Sequence, residues 1–150
     1  VKRIVTINNA DNLLALMDSW KLEASREFKI DFNSKVNARH LAEMVNGANS
    51  TVIGLMDGDT VVGYMGLCIF ENPVGKGVMA SEHFWYVLPE HRGIGAIRLL
   101  EAGMEWAKAR GCTHFIGNAS RLASELHDKV CEVYIKNGMS HFETSYICSL

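Results

Sequence analysis

Trp85-Tyr86-Val87-Leu88-Pro89-Glu90-His91-Arg92-Gly93-Ile94-Gly95-Ala96-Ile97-Arg98-Leu99-Leu100 is the stretch that decides the fold. A β-prone run stops at Pro89, a short loop with two glycines follows, and apolar residues then resume at helical spacing. The order is strand, loop, helix. Glycines in such a loop let a ligand come close to the backbone and leave its amides bare. The helix N-terminus adds unpaired N–H donors and a partial positive charge. These features predict an anion site sized for a pyrophosphate. The glycines alone fit a tight strand-to-helix turn equally well. Two familiar phosphate loops are absent: there is no G-x-x-x-x-G-K-[ST] and no G-x-G-x-x-G.

Outward from this stretch, the chain alternates between the two periods of regular structure. Upstream, Lys2 to Ile7 reads as a first strand, and Asn8, Asn9 and Asp11 offer caps to a helix carrying Leu13, Leu16, Met17 and Trp20 on one face. A second helix is predicted from about Asn37, with Gly47 as a left-handed cap. Lys21 to Val36 has no clear pattern. Thr51 to Met56, the turn Asp57-Gly58-Asp59 and Thr60 to Phe70 form a hairpin, and Val78 to Val87 is the next strand. Downstream, a helix from about Gly95 to Arg110 ends at Gly111. Thr113 to Ile116 is a short strand, and Leu122 to Asn137 is a helix closed by Gly138. Met139 to Ser149 is predicted as one or two final strands. The fold class is α/β (α+β): a mixed, mostly antiparallel central sheet with helices on both faces.

The chain of 150 residues suits one domain spanning 1–150. Its net charge of −2 argues against non-specific nucleic-acid binding. Cys68, Cys112, Cys131 and Cys148 form no C-x-x-C pair and read as reduced thiols of a cytoplasmic protein. The histidine spacing predicts no metal site. No apolar run approaches the ~20 residues that span a bilayer.

Val87-x-Pro89-Glu90-x-Arg92-Gly93-x-Gly95, followed by an amphipathic helix, closely resembles the coenzyme A loop of GNAT (GCN5-related N-acetyltransferase) enzymes, whose signature is Q/R-x-x-G-x-G/A. Tyr134-Ile135-Lys136-Asn137-Gly138-Met139 resembles the family's Tyr-x-x-x-Gly-Phe block. The likeness is strong over about Val78 to Cys112, moderate over about His127 to Tyr146, and limited to element order in the N-terminal third. Three positions depart from the pattern. Ile97 stands where the signature has Gly or Ala, unless the loop is one residue shorter and Ala96 fills that place. Met139 replaces Phe, and His127 stands where many members have Asn.

The resemblance implies transfer of an acetyl group from acetyl-CoA to a primary amine, on a small molecule or a protein, by direct attack in a ternary complex. The alternative is a catalytically silent GNAT-like coenzyme-binding or regulatory module. A homodimer is compatible with either. The coenzyme would meet Val87, Leu88, Arg92, Gly93, Ile94, Gly95, Ala96 and Ile97, with Val87 N–H the favoured donor to the acetyl carbonyl. Tyr134 would be the general acid for the departing thiolate. The base is His83 or Glu82. Strict alternation puts His83 on one face with Trp85 and Val87, and Glu82 on the other with Phe84 and Tyr86. Trp20, Glu23 and Arg26 lie where the family builds its acceptor site. Arg98 and Arg121 are further arginines within reach of coenzyme phosphates, although lone arginines are mostly solvated.

Overall fold

The computed structural model describes every residue except Ser124. The elements are β1 (Lys2–Thr6), a 3-10 turn (Ala10–Leu13), α1 (Leu14–Glu23), α2 (Ser34–Asn46), β2 (Ser50–Asp57), β3 (Thr60–Glu71), β4 (Val78–Val87), a 3-10 turn (Pro89–His91), α3 (Ile94–Ala109), β5 (His114–Ile116) and α4 (His127–Lys136). The strands form one sheet in sequence order. β1 to β4 pair antiparallel, and β5 joins β4 in parallel. The sheet is therefore mixed and mostly antiparallel, as expected.

Alternation along the strands sends side chains to both faces, and helices cover each. Leu13, Leu16 and Met17 with Leu41 and Met44 of α2 pack on Val52, Tyr64 and Tyr86. On the opposite face Leu99, Leu100 and Tyr134 pack on Ile53, Leu55, Met65, Leu67 and Val87. Helix α3 lies close to the sheet. A Cβ at Gly95 would sit 2.7 Å from Leu55 Cδ2, so this glycine serves close packing as much as the loop.

Two bulges shift the alternation. Leu55 faces Gly63 while Met56 faces Val61, which leaves Val62 extra. Gly66 faces Phe84 while Leu67 faces Glu82, which leaves His83 extra. The second bulge lies within the strand that leads to the glycine loop. β5 pairs only with Met79, Ala80 and Ser81. From Glu82 onward β4 has no ladder with β5, and the place where the two strands part is called the notch here.

Several sequence-based expectations need correction. α2 starts at Ser34, three residues before Asn37, because the Asn33 side chain accepts from the amides of Lys35 and Val36. Gly47 is extended (φ −74°, ψ 148°) rather than left-handed, and Ser50 Oγ donates to the Met44 carbonyl instead. Gly111 and Gly138 do adopt positive φ. α4 is shorter than Leu122 to Asn137, and part of that span, Ser124, lies outside the described residues. Residues 139–150 form no strand. The segment has β-prone alternation but no neighbour, and a strand exists only when paired.

Candidate active site

The glycine loop is pinned before it reaches α3. Arg92 Nε donates to the Val87 carbonyl (2.8 Å), and its Nη2 donates to Glu23 Oε2 (2.6 Å). The Tyr86 hydroxyl donates to the other oxygen of Glu23 (3.2 Å), and the guanidinium lies 5.7 Å from the Tyr86 ring centre. Burial, and then the charge of Glu23, push the Tyr86 phenol up to about 12. Arg92 thus fastens the loop to the end of α1 by charge-assisted bonds. Its guanidinium is already engaged there, so it is the backbone of the loop that remains open.

Gly93 caps α3 with φ 97°, a conformation that L side chains rarely adopt, and nothing lies within 4 Å of where its Cβ would be. No side chain caps the helix. The Ile97 amide donates to Gly93 O (3.2 Å), which leaves the first-turn amides of Ile94, Gly95 and Ala96 outside the intrahelical ladder. Two of the expected donors are therefore closed. Ile97 N–H belongs to its own helix, and Leu88 N–H donates to Val62 O (2.9 Å). Since Leu88 N–H points to β3, Val87 N–H points away from it, toward the open side of β4.

The notch holds a second cluster. Glu82 is 3% exposed. It accepts from the Asn118 amide through Oε2 (3.1 Å), while the Asn118 side chain donates to the Glu82 carbonyl and to Ser81 Oγ. Burial pushes the Glu82 carboxyl up to about 8, against the lowering effect of the Asn118 bonds. Tyr134, also buried, donates its hydroxyl to Asn118 O (3.4 Å). Burial, and then the nearby Glu82, hold its phenol far above the usual value. The Tyr134 ring lies 5.5 Å from that of Trp85 and so close to Gly117 that a Cβ there would sit 2.4 Å from Cε1. Trp85 Nε1 is buried with no hydrogen-bond partner, an orphaned donor on the residue whose ring meets Tyr134.

The bulge overturns the expected faces of the two candidate bases. Glu82 is opposite Leu67 and shares the face of Trp85, Val87 and Tyr134. His83 turns to the other face and lines a cleft of about 480 Å³ with His40, Glu43, Ser50, Cys68 and Phe84. It is exposed, and the burial it does have lowers its pKa below 6.5.

Of the three residues expected at an acceptor site, only Glu23 reaches the loop. Trp20 packs edge-on against Phe32 (5.6 Å), and Arg26 donates to the Lys21 carbonyl and stacks on the same ring. His127 bonds Asp128 and approaches Cys131 on its own helix. Arg98 reaches Lys2 O, and Arg121 pairs with Glu27. Sequence reading missed Asn118 and Gly117. Their only signal is a Gly-Asn pair at the end of a short strand.

Residues 14–139 match the model of the acetyltransferase (GNAT) family. The chain belongs to that family. No curated protein matches this GNAT chain. Among solved structures it is similar to a ribosomal-protein-alanine N-acetyltransferase from Brucella melitensis biovar Abortus 2308, at 20% identity and TM-score 0.75, covering 100% of this chain and 99% of the other. The aminoglycoside N-acetyltransferase AAC(6')-Iy in complex with CoA is 15% identical, with TM-score 0.74 over 100% of this chain and 95% of that one. A transcriptional regulator from Bacillus halodurans C-125 is 15% identical, with TM-score 0.81 over all of both chains. At these identities the GNAT fold is what is shared. No helix among the described residues is long and apolar enough to cross a membrane.

Proposed function

We propose that this GNAT domain transfers an acetyl group from acetyl-CoA to a primary amine by direct attack in a ternary complex. The observation that carries this reading is an open helix start beside an orphaned donor: the first-turn amides of α3 and Trp85 Nε1 lack partners on the face of Tyr134, while the His83 cleft lies on the other face of β4. The first face suits the coenzyme. Amides of Ile94, Gly95 and Ala96 would receive the pyrophosphate, and Trp85 Nε1 would donate to a carbonyl of the pantetheine arm, which would satisfy it. The second face suits the acceptor.

Val87 N–H would steady the oxyanion as the amine nitrogen bonds to the acetyl carbon. His83, whose pKa burial lowers, would take the amine proton. As the C–S bond breaks, Tyr134 would give its proton to the sulfur. Burial raises the Glu82 carboxyl well above the usual carboxylate range, which favours its protonated form. Glu82 therefore suits a proton donor behind Tyr134 better than a base.

One experiment tests the proposal. Acetyl-CoA is titrated by calorimetry and by quenching of tryptophan emission, and thiol release is then followed over a panel of polyamines, aminoglycosides, amino acids and peptides. Binding with thiol release on one amine class supports transfer. Binding without release on any amine leaves the silent coenzyme-binding module. No binding refutes the coenzyme site itself.

A further inference from the structure

We infer that Cys131 is a second acetyl acceptor of this domain, an inference that rests on the coenzyme reading proposed above: when no amine is bound, the Cys131 thiol takes the acetyl group from acetyl-CoA by thioester exchange. The thiol has a base beside it. His127 Nε2 lies 3.8 Å from Cys131 Sγ, one turn earlier on α4. The other ring nitrogen, Nδ1, donates to Asp128 Oδ1 (2.9 Å). With the Nδ1 proton held by the carboxylate, the Nε2 lone pair faces the thiol. Nucleophile, base and orienting carboxylate stand in the order that activates a weak nucleophile. Among the described residues, Cys68, Cys112 and Cys148 have no imidazole nitrogen in hydrogen-bonding contact.

The same thiol lies on the coenzyme side of α4. His127, Cys131 and Tyr134 follow at steps of four and three residues, which puts them on one helical face. Charge at Cys131 is among the influences that hold the Tyr134 phenol high, after burial and Glu82, so the two groups are electrostatic neighbours. Tyr134 is the residue proposed to face the coenzyme sulfur, and its ring meets that of Trp85 at 5.5 Å. Val130, Val133 and Tyr134 pack α4 on the core, while Cys131 is half-buried and keeps part of its surface open. A thioester brought to Tyr134 therefore arrives beside a nucleophile with its own base.

The step balances without a further reactant. The Cys131 S–H proton passes to His127 Nε2 as Sγ bonds to the acetyl carbon. The C–S bond to the coenzyme breaks, and the departing thiolate takes the proton from His127. One thioester and one thiol become another thioester and another thiol, and nothing is oxidised or reduced. The exchange is close to balanced in free energy, so excess CoA runs it backwards. Acetyl at Cys131 thereby follows the ratio of acetyl-CoA to CoA whenever the amine is missing.

The test uses the full chain. It is incubated with acetyl-CoA and no amine, quenched in acid and mapped by peptide mass, with acetyl-CoA binding measured in parallel by calorimetry. One acetyl group should appear on Cys131. Neutral hydroxylamine should cleave it, as it does a thioester but not an amide, and excess CoA should remove it. Cys131→Ala should gain no such group. His127→Gln should slow its formation at least about 10²-fold at saturating acetyl-CoA, the loss expected for a general base. Unmodified Cys131 in a parent that binds acetyl-CoA overturns this inference alone and leaves amine transfer standing. Absence of acetyl-CoA binding overturns the coenzyme reading and this inference with it. Acetylation of the exposed Cys148 at the rate of Cys131, an adduct that excess CoA cannot remove, or a parent-like rate in His127→Gln also overturns it.

Discussion

Gly117→Ala offers a sharp test of the notch because it disturbs Tyr134 without touching its chemistry. Gly117 does not have positive φ, so alanine meets no backbone strain there. The difficulty is steric. The new Cβ would lie 2.4 Å from Tyr134 Cε1 and 2.5 Å from Cζ, where ordinary contact begins near 3.4 Å. The ring must therefore retreat by about 1 Å. Trp85, 5.5 Å away centre to centre, stands beside it. Overpacking of this kind costs about 1–3 kcal/mol. For a chain of this size each kcal/mol lowers the melting temperature by roughly 2–4 °C. A displacement of about 1 Å at a reacting group costs about 10²-fold in rate. Tyr134→Phe, which removes only the hydroxyl, should lose at least about 10²-fold in turnover with little change in melting. The double variant should be no slower than the slower single, because both act on one hydroxyl. Turnover would be followed by thiol release under saturating acetyl-CoA and the best amine. Parent-like turnover in Gly117→Ala, with the ring shown displaced, would remove Tyr134 from the mechanism. Fully additive losses would mean that Gly117 acts elsewhere.

Three further outcomes follow from the same geometry. Glu82 has a folded pKa of about 8 against an ordinary 4.5. The folded state therefore binds the extra proton between these values, and this contribution to stability is full below 4.5 and lost as pH rises toward 8. Glu82→Gln should gain stability relative to the parent between pH 5 and 8, by at most about 1.4 kcal/mol per pH unit, in paired melts; a constant difference across that range would deny the buried carboxyl. His83→Ala should flatten the acidic limb of the rate–pH profile, a limb centred below 6.5 in the parent, while calorimetry finds acetyl-CoA affinity nearly unchanged. If Glu82→Gln flattens it instead, the two roles exchange. Gly93→Ala, forced to φ 97°, should lose about 1–2 kcal/mol of stability and weaken acetyl-CoA binding; unchanged affinity on calorimetric titration would mean that the pyrophosphate does not use this cap.

The sequence by itself determined the element order up to α4, the hairpin at Gly58, the helices on both faces and the strand–loop–helix at Arg92. Each of these is set by local periodicity and by glycines or prolines whose backbone preferences act within a few residues. It also determined the family, because the Arg92-Gly93-x-Gly95 loop and the Tyr134 block occur in order. The tertiary structure decided the rest. His83 and Glu82 exchanged faces because a bulge depends on how β3 and β4 register, which neither strand encodes alone. Arg92 turned to Glu23, 69 positions away, and Asn118 came to hold Glu82 and Tyr134 together. Residues 139–150 carry the pattern of a strand yet form none, because a strand's hydrogen bonds belong to its neighbour, and pairing is decided by tertiary placement rather than by the segment's own alternation.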